Sequence, residues 1–322
     1  MKRTMKCILL TAFCLWLLPF HTYAAQELIP VGKVVGLELR DGSVTIASFD
    51  EQLGQTCQKA GVQAGDVLVS IDGMPIHGAQ DVRTALAKSD GSVTLEVWRD
   101  GKQKKVKVTP QITQDGPKLG VYLRQGVTGI GTVTWYDPQE QTFATLGHGV
   151  NGANGKLLSM KEGSAYEARV LAVRKGKSGQ PGQLMGSVER MKSVGALTKN
   201  TNQGVFGKTN LSWEGQTIPV AQPKEVKTGA ATILSTISGT QVREYSVEIL
   251  KIYPTSRHSG RNMLIHVTDP ELLATTGGIV QGMSGSPIIQ NGKLVGAVTH
   301  VLVNDPTTGY GIFIENMLDA AA

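Results

Sequence analysis

From Val121 onward the chain is built of short apolar runs that alternate in polarity and are cut by glycine, proline or Asn-Gly pairs. "GVYLRQ", "GIGTVTWYD", "TFATLGHGV", "YEARVLAV", "QTIPV", "YSVEILKIY" and "NMLIHVTD" follow one another with no long stretch of helical period between them. A period of two sends one face of each strand into a core, so this pattern predicts a β-barrel or sandwich. Composition agrees, with 39 glycines and only 5% aromatic residues in 322. The final "ENMLDAAA" (Glu315 to Ala322) reads as a terminal helix.

Residues 28–110 read as a separate small unit. "VGLEL" (Val35 to Leu39) and "SVTIASF" (Ser43 to Phe49) are strands. "KAGVQAGDVLVSIDGMPI" gives a glycine turn, the strand Val67 to Ile71 and an Asp72-Gly73 turn. "GAQDVRTALAKS" places Val82, Ala85 and Leu86 on one helical face, with Asp81 as a cap. "SVTLEVWRDGKQKKVKVTP" is a hairpin turning at Asp100-Gly101. Together these segments resemble a bacterial PDZ domain, an α+β unit. The resemblance implies a glycine-bearing loop that receives a peptide C-terminus, the peptide adding as a strand. Gly36, Leu37, Glu38 and Leu39 occupy that place. "PQITQDGPKLG" reads as a linker over 111–120, leaving 121–322 as the second domain.

The first 25 residues read as an export signal: a basic "MKRTMK", a 14-residue apolar run and small residues suited to cleavage near Ala24 or Ala25. The run is short for a membrane span, though it can also be kept as an anchor. The net charge of +6 falls to +3 without Lys2, Arg3 and Lys6, since 29 bases then face 26 acids. That gives little drive toward nucleic acid. Cys7 and Cys14 lie in the signal, which leaves Cys57 alone and no intrachain disulfide in the exported part.

The chemistry concentrates in "QGMSGSPIIQNGKLVGAVTH" (Gln281 to His300). Ser284 stands between glycines that allow a sharp turn, where the N–H groups of Gly282 and Ser284 can converge on a developing oxyanion. Pro287 opens the outgoing strand, and Asn291-Gly292 turns a hairpin. Ser286 is a rival within the same hexad. A serine needs an imidazole base. His148, between two glycines after an apolar strand, is the candidate. His21 lies in the signal, His77 in the PDZ-like unit and His258 in a polar loop, while His266 and His300 sit within apolar strands. For the carboxylate that orients the imidazole, Asp269, Asp305 and Asp137 remain open, and each precedes proline as a turn former does.

The frame "GMSGSP", then "LVGAVTHV", "TTGYGIFIE" and a terminal helix, resembles the chymotrypsin-like serine proteases. With the PDZ-like unit placed first and "VTDPELLATTGGIVQGMSGSPIIQNGKLVGAVTHVLVNDPTTGYGIFIENML" at the end, the whole chain resembles the stage IV sporulation protein B family of signalling serine peptidases. The resemblance implies a mainly β chain, a PDZ domain followed by a chymotrypsin-like β-barrel peptidase, and a triad of His148, Asp269 and Ser284. It implies no cofactor and no metal. Its partners would be the chain itself, cut near its N-terminus, and a regulator of an intramembrane protease, cut in the space between the two forespore membranes so that a late sigma factor is activated. Met283 stands where trypsin-like zymogens carry an aspartate, and Gly278 where they carry the acid that selects basic side chains. "GVFGKT" (Gly204 to Thr209) lacks the first glycine of a phosphate loop, and neither HExxH nor CxxC occurs. A non-catalytic PDZ adaptor and an envelope quality-control protease are the competing classes.

Overall fold

The computed structural model describes residues 26–152, 155–253 and 261–322; the export-signal reading and His258 lie outside them. Two β-barrels and a PDZ unit make up the chain. The strands Val34–Phe49, Val121–Asp137, Thr142–Thr145, Gly204–Lys208, Gln183–Thr201 and Glu162–Arg174 are hydrogen-bonded each to the next, and the last returns to the first. That ring of six is the first barrel. Its alternating inward residues, among them Leu37, Val133, Phe143, Val194 and Val205, form one buried cluster.

The second barrel is also closed and six-stranded, running Gly229–Ser235, Arg243–Ile252, Met263–Val267, Asp305–Phe313, Lys293–Leu302 and Pro287–Gln290. Ile233, Tyr245, Ile249, Ile265, Ile288 and Val298 fill it. The predicted Asn291-Gly292 turn joins two of its strands, both residues having positive φ (51° and 72°) as a type I′ turn requires. The terminal helix Ile314–Ala321 buries Ile314 and Met317 against Trp135, Ala144 and Phe206, which ties the first barrel to the end of the second.

The PDZ core gathers Val44, Ile46, Cys57, Leu68, Ile71, Val82, Leu86, Leu95, Val97 and Leu119. The helix Ala79–Ala87 carries the predicted apolar face, but Gly78 is its N-cap. Asp81 instead accepts the His77 N–H at 2.8 Å. Cys57 is buried, its thiol pushed up to about 11 by desolvation, and it donates to the Leu119 carbonyl.

Two corrections to the domain reading follow. Residues 28–39 belong to the first barrel and not to the PDZ unit. The stretch 111–120 is no free linker: Gln111–Thr113 pairs with Gly116–Lys118, and Leu119 is part of the PDZ core. The PDZ unit sits as an excursion at one end of two very long strands. Val34–Phe49 and Val121–Asp137 pair in the first barrel and, beyond a break in register between Leu39 and Val44, pair again inside the PDZ unit.

Candidate active site

Ser284 and His148 come from different barrels to one cleft. The segment before Pro287 loops out of the second barrel with Gly282 and Gly285 at φ of 102° and 97°, conformations that favour glycine. It is pinned to the first barrel by Thr132, whose N–H donates to the Ser284 carbonyl (3.0 Å) and whose hydroxyl donates to the Gly282 carbonyl (2.8 Å). Gly285 N–H donates to Val298. A Cβ at Gly285 would lie 2.1 Å from the Thr132 oxygen, so only glycine lets the two barrels meet there. Met283 and Ser286 are fully buried, and Ser286 donates to the Ser235 hydroxyl, which gives it a structural place inside the second barrel.

His148 follows the strand Thr142–Thr145. The buried Leu146 before it has φ 70°, a strained value for a side-chain-bearing residue, and the turn it makes aims the next residues across the cleft. The resulting cavity, about 240 Å³, is lined by Leu37, Leu39, Val127, Ile130, Leu146 and Val150 from the first barrel with His148, and by Gln281, Gly282 and Ser284 from the second. No acid is among its described lining residues.

Ser284 Oγ donates to the Thr299 carbonyl at 2.9 Å. His148 Nδ1 lies 2.9 Å from the Gly149 carbonyl, to which it donates, so Nε2 is left as the basic nitrogen. Burial lowers the His148 pKa, and the Gly149 carbonyl partly opposes this. The N–H groups of Gly282 and Ser284 find no acceptor within the described residues. They are therefore free to bind an oxygen anion.

Asp269 is not brought to this cavity. It is the N-cap of the helix Pro270–Thr276, accepting from the Leu272 N–H at 2.9 Å and from the Ser246 N–H at 3.3 Å. No hydrogen bond joins it to His148 among the described residues. The other two candidates also serve their own turns: Asp137 accepts from Gln139 and Glu140, and Asp305 from Thr307 and Thr308. The physical reason is common to all three. An aspartate before proline is placed to cap the turn or helix that proline begins.

What the sequence did not reveal is His300. Its ring lies against that of His148, with centroids 5.1 Å apart. In the sequence it is a histidine within an apolar strand, and only the packing of the two barrels places it beside the base.

The second correction concerns peptide binding. Gly36–Leu39 is paired on both edges, with Gly163–Tyr166 on one side and Val127–Ile130 on the other. No peptide can add there, and Leu37 and Leu39 instead wall the catalytic cleft. A groove of about 350 Å³ lies elsewhere, between the helix Ala79–Ala87 and Leu119–Leu123. Among the described residues Val121–Leu123 pairs with Ile46–Phe49 on one edge only. The signal in the sequence is "KLGVYL" (Lys118 to Leu123), a glycine between apolar residues at the start of a strand, which the boundary at residue 120 divides between the linker and the second domain.

The model of the SpoIVB peptidase S55 family matches residues 115–318. The chain belongs to the SpoIVB peptidase S55 family. A PDZ domain model matches residues 58–99. The S55 chain is 35% identical over 121 residues to a DegP-like periplasmic serine endoprotease of Pseudomonas fluorescens, covering 35% of this chain and 25% of that protein. It is 38% identical over 101 residues to a protein named as zinc metalloprotease R01501 of Rhizobium meliloti, covering 31% and 26%. The chain thus spans about a quarter of the length of these relatives. Among solved structures it is similar to the Rv3671c protease of M. tuberculosis in its active form, at 16% identity and a TM-score of 0.35, over 60% of this chain and 72% of that one.

Proposed function

We propose that this S55 peptidase cleaves peptide bonds with Ser284 as nucleophile and His148 as base, and that it serves sporulation signalling from outside the cytoplasm. The observation that carries the catalytic part is the meeting of the Ser284 hydroxyl, the His148 ring and two uncommitted N–H groups in one cleft between the barrels. On substrate binding, Ser284 rotates away from the Thr299 carbonyl and gives its proton to His148 Nε2 as its oxygen bonds to the scissile carbon. The carbonyl π pair moves to oxygen and is held by Gly282 and Ser284 N–H. The C–N bond then breaks, His148 returns the proton to the leaving amine, and water releases the acyl group by the reverse path. The cleft wall is apolar and carries no acid among its described lining residues, which favours an apolar side chain over a basic one at this subsite.

Family membership supports the signalling role: cleavage of itself near its N-terminus, and of an extracytoplasmic regulator of an intramembrane protease, between the forespore membranes. The groove beside Val121–Leu123 supports capture of an apolar peptide C-terminus as an added strand. The test uses the full chain and its Ser284→Ala variant. Labelling by a serine-directed fluorophosphonate and N-terminal self-clipping are expected in the first and lost in the second. A folded wild-type chain that neither labels nor clips would sink the catalytic reading in favour of an adaptor. Degradation of many unfolded proteins, in place of cuts at one or two sites in one partner, would favour quality control.

A further inference from the structure

The hairpin between the strands Glu162–Arg174 and Gln183–Thr201 carries bases that the chemistry at Ser284 does not use. Arg174, Lys175 and Lys177 are exposed and line a hollow of about 630 Å³ with Gly179, Gln180 and Pro181. No acid is among its described lining residues, and among the described residues none of the three bases makes an ion pair. Asp305, next to the point where the hairpin is attached, is taken by the hydroxyls of Thr307 and Thr308. Like charges gathered without a counter-charge make a field that draws an anionic group. A hairpin tip is ordinarily mobile, but this one is fastened to the second barrel. Gly176 N–H donates to the Thr276 carbonyl (2.8 Å), Lys175 Nζ to Ala274 (2.9 Å), Gly179 N–H to Val303 (2.9 Å) and the Ser178 hydroxyl to Asn304 (2.8 Å). Its far end reaches the nucleophile loop: Gln281 N–H donates to the Gly182 carbonyl (3.0 Å) and Leu184 N–H to the Gln281 carbonyl (2.8 Å). Gln281 itself lines the catalytic cleft.

We propose that the loop Arg174–Gln183 is an accessory binding site for the protein substrate, and that it takes an acidic stretch lying a few residues from the bond that is cut. This rests on the reading of Ser284 and His148 given above. The attachments hold the three bases at fixed places relative to Ser284, so little ordering remains to be done when a substrate arrives. Val303, which accepts from Gly179, is four residues beyond Thr299, whose carbonyl accepts from the Ser284 hydroxyl. At about 3.3 Å per extended residue those two positions are at most ~13 Å apart, so an extended substrate cut at Ser284 carries side chains to the hollow roughly four to seven residues from its scissile bond. The tie to the nucleophile loop favours a segment of the molecule being cut over an anionic lipid surface. Exposed charge pairs are individually weak and are screened over about 8 Å at physiological salt. The site therefore selects and steers the substrate and leaves the chemical step alone.

The experiment digests a proteome-derived peptide library with the full-length wild type and with the double variant Arg174→Gln/Lys177→Gln, and reads the sequences that are cut. Lys175 is kept because its ammonium fastens the loop to Ala274. In the wild type, Asp and Glu should be enriched about threefold or more over the library, roughly four to seven residues from the cut and on one side of it. The double variant, and the wild type at about 0.5 M salt, should lose at least about half of that enrichment. Fluorophosphonate labelling of Ser284, which needs no peptide, should stay within about twofold of wild type in the variant. No enrichment, or enrichment that the variant keeps, would overturn the proposal. So would binding of phosphatidylglycerol vesicles that the variant loses while its cut sequences stay the same, which would give the bases to a lipid surface. Absence of wild-type labelling at Ser284 would overturn the reading beneath the proposal, a result distinct from labelling without acidic enrichment. Should the double variant not fold, Lys177→Gln alone and the salt series decide by the same enrichment.

Discussion

Two half-buried imidazoles lie against each other, His148 in the cleft wall and His300 beside it, and both are held below the ordinary histidine pKa of about 6.5. For catalysis this means that His148 stays a free base below that value. The acid limb of the labelling or cleavage rate should lie under pH 6.5; a limb at or above it would contradict the burial of His148. For stability the sign runs with pH. Between about 4 and 6.5 the unfolded chain binds a proton at residue 300 that the folded chain refuses, so stability falls as pH drops through that window and levels below it. At ~1.4 kcal/mol per pK unit, discounted for the ring's partial exposure, His300 accounts for about 2 kcal/mol of this. A denaturant series at pH 4 and pH 7 should show a smaller difference in His300→Asn than in wild type. Asp269 belongs to the same scale. As a helix N-cap its replacement by alanine should cost about 1 kcal/mol of stability, with the labelling rate within threefold of wild type. An orienting carboxylate would lose about 10⁴ in rate, so the two roles are well separated by one measurement.

The elements around the serine depend on backbone approach more than on side chains. Gly285 and Gly292 both have positive φ, but only Gly285 faces the other barrel. Gly292→Ala should cost about 1–2 kcal/mol for the left-handed backbone alone. Gly285→Ala adds a contact with the Thr132 carbonyl and the Leu146 N–H that neither backbone can relieve, so it should cost more and also abolish Ser284 labelling. Equal stability of the two variants with labelling intact would refute that account. The same comparison marks what was legible in the sequence. The Asn291-Gly292 and Asp100-Gly101 turns, the amphipathic helix before Ala87, the serine frame and the histidine between glycines all rest on neighbours within a few residues, and local chemistry fixes them. "VGLEL" is a strand as its pattern predicts, but its partners at Gly163–Glu167 and Val127–Gly131 lie about 90 to 130 positions away, and a period of two carries no address. His300 beside His148 is the same kind of fact, set by the packing of two barrels.

Across the whole molecule, Val34–Phe49 and Val121–Asp137 run without interruption from the peptidase barrel into the PDZ unit. Their far halves supply one PDZ sheet edge: Val44 opposite Gln125, Ile46 opposite Leu123, Phe49 opposite Val121. The Cys57 thiol donates to Leu119, and the Asp50 N–H to Gly120. A PDZ unit cut at residue 110 therefore loses a strand, the buried Leu119 and the wall of its own groove, while keeping at its start a barrel strand whose Leu37 and Leu39 have nothing to cover them. Small domains bury too little surface to survive that loss. A fragment of residues 43–125 should unfold cooperatively in urea and bind an apolar peptide with a free C-terminal carboxylate more tightly than its amide. A fragment of residues 28–110 should do neither. Cooperative unfolding of the shorter-ended fragment would mean that the two strands are not shared structurally, and that the PDZ unit is an ordinary N-terminal module ending where the basic hairpin ends. If only 43–125 folds, a peptide added at Val121–Leu123 contacts the same strand that walls the catalytic cleft at Val127 and Ile130, and the groove and the cleft are two stretches of one element.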